Sequence, residues 1–138
     1  MKPVLLDTSV LVALLDRAQA SHRACTETFE ALLGTVVTCE AVITEACYLL
    51  RNVRGAVEAV MENIANGVVQ IPFGLSGSAA DVGRLMRKYA DLPASFADAC
   101  LIQLATELGA SDILTLDSDF RVYRWGSNKP FRLLVEPK

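Results

Sequence analysis

The most informative segment of the sequence is Val4-Leu5-Leu6-Asp7-Thr8-Ser9-Val10-Leu11-Val12-Ala13-Leu14-Leu15. Its first three residues predict a short buried strand and its last six an apolar helix, with a turn between them. Asp7 is the only charged side chain from Pro3 to Leu15, and it stands where the strand gives way to the helix. A buried carboxylate costs free energy unless something pairs with it. We therefore expect the rest of the chain to bring other groups to Asp7.

Composition predicts one globular domain over residues 1–138. Hydrophobic residues make up 52% of the chain and charged residues 21%, a balance that is typical of folded rather than disordered proteins. No apolar run reaches the ~20 residues that a membrane span requires, and no hydrophobic leader with a small-residue cleavage site precedes the first strand. We expect a soluble protein of the cytoplasm with no membrane contact.

The four cysteines favour buried thiols over a zinc site or a disulfide framework. They are Cys25, Cys39, Cys47 and Cys100. They form no Cys-x-x-Cys pair, and three of them lie in apolar stretches, where a reduced cysteine behaves as a small hydrophobic residue.

The net charge of −3 argues against a protein that coats duplex nucleic acid, which needs a broad basic surface. It does not exclude an enzyme that acts on nucleic acid. Acids that hold divalent ions make the formal charge misleading, because the ions invert the local charge.

Strands alternate with one or two helices along the chain. Strands are predicted at 4–6, 35–38, 68–71 and 112–116, with an edge strand at 131–135. Helices are predicted at 10–15, 21–33, 40–50, 56–66, 79–89 and 96–108, with a turn at 75–78. Helical spacing places on inward faces, among others, Ala24, Leu33, Met61 and Met86. This alternation predicts an α/β sandwich on a mostly parallel sheet.

Four acids share an unusual setting in this pattern. Asp7 follows the first strand and Asp117 follows the fourth. Glu45 lies one to two turns into the helix after the second strand, and Asp98 is alone in a charge-free run over residues 92–106. Ligand sites in parallel sheets lie at the carboxyl ends of the strands. We therefore expect the four carboxylates to meet at one edge of the sheet.

Carboxylates that meet in this way repel one another unless cations are present. Their hard oxygen atoms suit Mg²⁺ or Mn²⁺, which keep several waters and bind jointly with substrate phosphate. One or two such ions can activate a water molecule and stabilise the leaving oxygen of a phosphodiester. The four acids therefore indicate metal-dependent phosphoryl chemistry.

Each acid also has a purely structural interpretation. Asp7 is suited to cap the first helix, and Asp98 has capping-box spacing to the serine three residues before it. Asp117 and Asp119 are suited to organise a turn, and Glu45 to an exposed strip of its helix. Taken singly, each acid favours the structural interpretation. Their joint placement favours a metal site, and capping does not exclude metal binding.

Four short motifs resemble those of the PIN-domain family. They are Val4-Leu5-Leu6-Asp7-Thr8-Ser9, Thr44-Glu45, Leu92-Pro93-Ala94-Ser95-Phe96-Ala97-Asp98-Ala99 and Leu114-Thr115-Leu116-Asp117-Ser118-Asp119-Phe120. Their order and spacing match over nearly the whole chain, whose length resembles that of the VapC-type toxins of toxin–antitoxin pairs. The resemblance implies a three-layer α/β/α sandwich with a mostly parallel central sheet of about 4–5 strands.

The same resemblance implies an endoribonuclease that depends on one or two Mg²⁺ or Mn²⁺ ions. Its catalytic and metal-binding acids would be Asp7, Glu45, Asp98 and Asp117. Auxiliary roles would fall to Asp119, Thr8, Ser9 and Thr115. The implied partners are RNA, a small VapB-type antitoxin whose C-terminal segment occupies a groove near the site, and a second copy in a homodimer.

Three other functions remain open at this point. A housekeeping RNA-processing nuclease would carry the same motifs, and a non-catalytic module would keep the fold but lose the acids. A haloacid-dehalogenase-type phosphatase needs a second Asp two residues after the first, and that position is Ser9.

Basic and aromatic side chains near the motifs are candidates for RNA contact, although ordinary surface or core roles are favoured for most of them. The basic set is Arg51, Arg54, Arg84, Arg87, Lys88, Arg121, Arg124 and Lys129. The aromatic set is Tyr89, Phe120, Tyr123 and Trp125, with Trp125 the best candidate for an exposed ring. His22 is interpreted as incidental to the chemistry.

Overall fold

Short strands alternate with helices through residues 2–137, the part of the chain that the computed structural model describes. The strands are β1 (Val4–Leu6), β2 (Val36–Val37), β3 (Val69–Gln70), β4 (Asp112–Leu114), β5 (Arg124–Trp125), β6 (Lys129–Pro130) and β7 (Arg132–Leu133). The helices are α1 (Thr8–Leu15), α2 (His22–Glu30), α3 (Glu40–Leu49), α4 (Ala56–Ala65), α5 (Leu75–Lys88) and α6 (Phe96–Leu108). A short 3₁₀ helix covers Ser118–Arg121.

Five of the strands form one sheet in the order β3-β2-β1-β4-β7, in which every neighbouring pair is parallel. Helices flank this sheet; α1 packs against α2 and α3, and α5 packs against α6. The predicted three-layer α/β/α sandwich with a central sheet of about 4–5 strands is confirmed. β5 and β6 form a separate antiparallel hairpin.

The centre of the sheet explains why β1 is so apolar. Leu5 and Leu6 are fully buried, and β1 pairs with β2 on one side and β4 on the other. Strands that are covered on both faces read as continuous hydrophobic runs rather than alternating ones. Helix α6 is mostly buried, with Ala97 and residues 99–105 in the core, and Gly109 ends it at a φ of 63°.

The start of α5 differs from its prediction as a turn at 75–78. The helix already begins at Leu75, and Ser78 in its first turn is buried. The Ser78 hydroxyl donates to Glu107 of α6 over 2.5 Å. Packing against α6 thus stabilises a turn of helix whose serine and glycine content favours a loop.

Four inward placements predicted from helical spacing are wrong. Helix α2 stops at Glu30, so Leu33 lies beyond it and is 82% exposed. Ala24, Met61 and Met86 are exposed as well. Cys25 is the buried residue of α2. The apolar stripes are narrower than the sequence suggests, because each helix contacts the rest of the protein along a limited face.

The C-terminal segment holds one confirmed and one wrong prediction. The expected edge strand is β7, which pairs with β4. Trp125, the best candidate for an exposed ring, is buried, and its indole Nε1 donates to the Pro130 carbonyl over 3.0 Å. The β5–β6 hairpin was not predicted. It forms because the chain reverses through Gly126 and Asn128, which adopt φ values of 55° and 65°.

The cysteines lie where an apolar role requires. Cys25, Cys39 and Cys100 are buried, and Cys47 is partly exposed. Among residues 2–137, no helix combines the length and the apolar character needed to cross a bilayer.

Candidate functional site

The parallel pairing of β1 and β4 brings two acids to one edge of the sheet. Leu6 pairs with Leu114 in register, and the Asp7 amide donates to the Leu114 carbonyl over 3.0 Å. Asp7 and residues 115–117 therefore lie next to each other, directly after the carboxyl ends of β1 and β4.

Helices α3 and α6 bring the other two acids to the same place. A cleft of about 680 Å³ opens at this edge of the sheet. It is lined by Asp7, Thr8, Ser9, Val12, Gln19, Glu45, Leu49, Ser95, Asp98, Leu116 and Asp117. The structure thus gathers around one cleft the four acids that the sequence singled out. The lining, as the described residues define it, contains no Lys, Arg or His.

Asp7 is the most buried of the four acids, at 5% exposure. Its Oδ1 accepts a hydrogen bond from the Thr8 amide over 2.8 Å, and its Oδ2 accepts one from the Thr115 hydroxyl over 2.6 Å. Burial raises the pKa of Asp7 to about 7; the bonds from Thr115 and Thr8 oppose this, and the charges of Asp98 and Asp117 add to it. The carboxylate is therefore held firmly, and the described lining of the cleft offers it no positive charge.

The three predicted auxiliary hydroxyls hold the site together. The Thr8 hydroxyl donates to Glu45 Oε1 over 2.7 Å, so Thr8 contacts both Asp7 and Glu45. Ser9 Oγ accepts from the Leu116 amide over 2.9 Å. Thr115 Oγ1 donates to Asp7 and accepts from the Asp117 amide over 3.0 Å. These bonds join the ends of β1 and β4 to α3.

Asp98 combines both interpretations that the sequence left open. It forms a complete capping box with Ser95: the Ser95 Oγ accepts from the Asp98 amide, and Asp98 Oδ2 accepts from the Ser95 amide, each over 3.1 Å. The same carboxylate lines the cleft. Burial raises the pKa of Asp98, the Ser95 amide lowers it, and the Asp117 charge raises it.

Asp117 likewise organises a turn and lines the cleft. Its Oδ1 accepts from the Asp119 amide over 2.9 Å at the start of the 3₁₀ helix. Asp119 lies within this 3₁₀ turn and does not contribute to the cleft lining that the described residues form.

Tyr123 belongs to the site, although the sequence offered it only as one of four aromatic candidates for RNA contact and favoured a core role for most of them. It is fully buried, and its hydroxyl donates to Asp98 Oδ2 over 3.3 Å. Burial raises the pKa of Tyr123, and the charges of Asp98, Asp119 and Asp117 raise it further, so the hydroxyl stays protonated. No motif marks this role, because it depends on a contact between residues 25 positions apart.

The remaining candidates for RNA contact have structural roles or lie away from the cleft. Tyr89, Phe120 and Trp125 are buried. Arg121 pairs with Glu136 over 2.9 Å, Arg84 pairs with Asp81, and Arg124 Nη1 donates to three backbone carbonyls. His22 lies 2.7 Å from the Ala13 carbonyl through Nδ1, a helix-to-helix contact.

A family model of the PIN domain matches residues 4–126, most of the chain. This chain belongs to the PIN-domain family. Its PIN domain is 30% identical over 116 residues to Ribonuclease VapC26 of Mycobacterium tuberculosis, an alignment that covers 83% of this chain and 86% of that protein. The predicted resemblance to VapC-type members of the family is confirmed.

A solved structure has the same fold as this PIN domain. The crystal structure of Mycobacterium tuberculosis VapC20, described as a Sarcin-Ricin loop cleaving toxin, matches with a TM-score of 0.79. The match covers 86% of this chain and 93% of that chain, at 21% sequence identity. The likeness at this identity concerns the fold.

Proposed function

We propose that this PIN domain is a divalent-metal-dependent endoribonuclease that hydrolyses phosphodiester bonds in RNA. The observation that carries the proposal is the convergence of Asp7, Glu45, Asp98 and Asp117 on one cleft whose described lining contains no basic residue. Four carboxylates close together repel one another, and a bound cation would offset this repulsion. Ribonuclease is also the activity in the name of the VapC26 relative.

The donor atoms of the cleft fit Mg²⁺ or Mn²⁺. They are carboxylate and hydroxyl oxygens, the hard ligands that these ions prefer. Within residues 2–137, no three His, Cys, Asp or Glu side chains stand close enough together to form a complete metal cluster. Mg²⁺ commonly binds through one or two carboxylates and keeps several waters, so a loose ring of acids suits it. Asp7, Glu45, Asp98 and Asp117 would hold one or two ions.

When bound, the ion would supply the Lewis-acid chemistry that polarises a phosphodiester and acidifies water. The chain's own contribution is to hold the ligands in position. Thr8 and Thr115 fix the two oxygens of Asp7, Thr8 also fixes Glu45, and Ser95 fixes Asp98. Ligands held in this way need little rearrangement when substrate arrives, which favours a fast reaction.

We further propose that the protein is the toxin of a type II toxin–antitoxin pair, with a small VapB-type antitoxin as its partner. The relationship to VapC26 supports this role. An apolar groove of about 210 Å³ between the early helices would accept apolar side chains of such a partner. Its lining includes Leu11, Leu14, Leu15, Phe29, Val60 and Ile64. The homodimer and the cytoplasmic location stay predictions.

RNA cleavage by acid variants tests the nuclease assignment. Asp7→Asn and Asp98→Asn should each reduce Mn²⁺-dependent cleavage of a defined single-stranded RNA by about 100-fold or more. Loss of a group that hydrogen-bonds a metal ligand typically lowers activity about 10–100-fold, and loss of the ligand itself should lower it further. Glu62→Gln, an exposed acid of α4, should cleave like the wild type. Circular dichroism checks that all three variants are folded.

Two results would contradict the assignment. One is wild-type cleavage that persists in excess EDTA. The other is undiminished cleavage by either aspartate variant, purified free of contaminating nuclease.

A further inference from the structure

The Asp98 carboxylate is held by two donors that act on the same oxygen. The Ser95 amide donates to Asp98 Oδ2 over 3.1 Å from within the capping box. The Tyr123 hydroxyl donates to Oδ2 over 3.3 Å from the C-terminal part of the chain. Neither bond uses Oδ1. The two donors thus fix the rotation of the carboxylate, and neither of them occupies Oδ1.

The Tyr123 hydroxyl has a fixed position because its ring is enclosed. The ring packs edge-on against Tyr89 at a centroid distance of 4.9 Å and against Phe120 at 5.0 Å. Its backbone amide donates to the Asp119 carbonyl over 3.0 Å, so Tyr123 continues the turn that begins at Asp117. Because the ring is packed on several sides, the Tyr123 hydroxyl stays at one place relative to Asp98.

We propose that Tyr123 is a positioning residue that orients Asp98 so that Oδ1 is presented to the cation. This inference rests on the proposed function, in which Asp98 is a metal ligand. Tyr123 is fully buried and does not belong to the described lining of the cleft, so it acts through Asp98 and does not touch the substrate. Partners that hydrogen-bond metal ligands in this way typically contribute 10–100-fold to metal affinity or activity. Because 3.3 Å is long for an O–H···O bond, we expect the lower end of that range.

A merely structural role for the hydroxyl predicts something different. A buried tyrosine hydroxyl needs a hydrogen-bond partner, and Asp98 would satisfy it whether or not a metal binds. Removal of the hydroxyl would then lower stability without changing the metal site. Tyr89 supplies the matched control, since it lies in the same aromatic cluster and its hydroxyl accepts from the Arg124 amide over 2.9 Å rather than contacting an acid.

Calorimetric titration of Mn²⁺ into the metal-free full-length protein tests the proposal directly. Tyr123→Phe removes one oxygen atom and leaves the ring packing, so the variant should fold. We expect its Mn²⁺ affinity to fall about 10-fold. Its RNA cleavage should return to near the wild-type rate at saturating Mn²⁺. Tyr89→Phe should bind Mn²⁺ as tightly as the wild type, because its hydroxyl does not contact an acid.

A double variant shows whether the hydroxyl acts through Asp98. In the Asp98→Asn background, Tyr123→Phe should cause no further loss of Mn²⁺ affinity, because the group that it orients is already altered. Additive losses in the double variant would overturn the inference. Melting temperatures of all variants in EDTA identify any variant whose folded state is lost.

The remaining outcomes separate this inference from the function on which it rests. Wild-type protein that binds Mn²⁺ and cleaves RNA, with Tyr123→Phe binding equally well, would overturn the role of Tyr123 and leave the nuclease assignment standing. Wild-type protein that binds neither Mn²⁺ nor Mg²⁺ would overturn both.

Discussion

Asp7 caps a helix and faces the cleft with the same carboxylate. The sequence allows both helix capping and metal binding for this residue. The structure shows the capping bond from the Thr8 amide and places Asp7 in the cleft lining. Asp98 and Asp117 repeat this combination, each fixing a local turn through one oxygen. Local bonds of this kind orient the three acids, which still line the cleft.

Replacement of Asp7 by Asn should stabilise the metal-free protein near neutral pH. Burial raises the pKa of Asp7 from 3.8 to about 7, so between those values the folded protein holds a proton that the unfolded chain releases. The stability contributed by this group is therefore complete below about pH 4 and is lost as the pH rises through 7. The free energy of unfolding changes by about 4 kcal/mol at most, because each pKa unit corresponds to about 1.36 kcal/mol.

Urea unfolding in EDTA from pH 5 to pH 8 measures this effect. The free energy of unfolding of the wild type should fall with rising pH relative to that of Asp7→Asn, which has no proton to release at this position. Parallel curves for the two proteins would show that burial of the Asp7 carboxylate has no such consequence.

Close approach of two backbone segments explains the glycine between α2 and β2. The helix predicted over residues 21–33 stops at Glu30, so Gly34 lies four residues beyond its end. A Cβ at position 34 would lie 2.7 Å from the Lys2 carbonyl oxygen, just before the chain enters β1. Glycine is needed there because β1 and the approach to β2 lie side by side, with the Val4 amide donating to Thr35 over 2.8 Å.

Two glycine-to-alanine variants should therefore change stability in opposite directions. Gly34→Ala should lower the free energy of unfolding by about 1–3 kcal/mol, since the backbone of β1 must shift. Gly77→Ala, in α5 with nothing within 4 Å of the added carbon, should raise it by about 0.5–1 kcal/mol. Chemical denaturation gives both values. An unchanged free energy of unfolding for Gly34→Ala would show that the Lys2 backbone moves away from the added carbon with little strain.

The site is assembled from the whole length of the chain. Asp7 comes from the first strand, and Tyr123 reaches Asp98 from the segment after the fourth. Phe131, which packs on Phe120 at a centroid distance of 5.4 Å, lies beyond the residues that match the family model. The proposed metal ligands therefore depend on the folded molecule as a unit, and cation binding should stabilise that unit.

Mn²⁺ should raise the melting temperature of the protein at pH 7.5. A ligand at 100 times its dissociation constant adds about 2.7 kcal/mol, roughly 8 °C at ~3 °C per kcal/mol. The shift should shrink at pH 5.5, where Asp7 must release a proton before it binds the ion, because its pKa lies near 7.

Scanning fluorimetry with and without EDTA measures the shift. Asp91→Asn, an exposed loop acid outside the described cleft lining, should retain it, whereas Asp7→Asn should lose most of it. An equal shift in Asp7→Asn would place the ion elsewhere.

Local patterns along the chain predict the parallel sheet and the edge at which its acids lie. Apolar runs, helical periodicity and capping signals are local, and parallel strands must end at a common edge, so the meeting of Asp7, Glu45, Asp98 and Asp117 followed from patterns along the chain. The burial of Trp125, the start of α5 at Leu75 and the contact of Tyr123 with Asp98 could not be predicted in the same way. Burial and side-chain contact depend on packing between segments far apart in the chain, and such packing leaves no periodic signal in either segment.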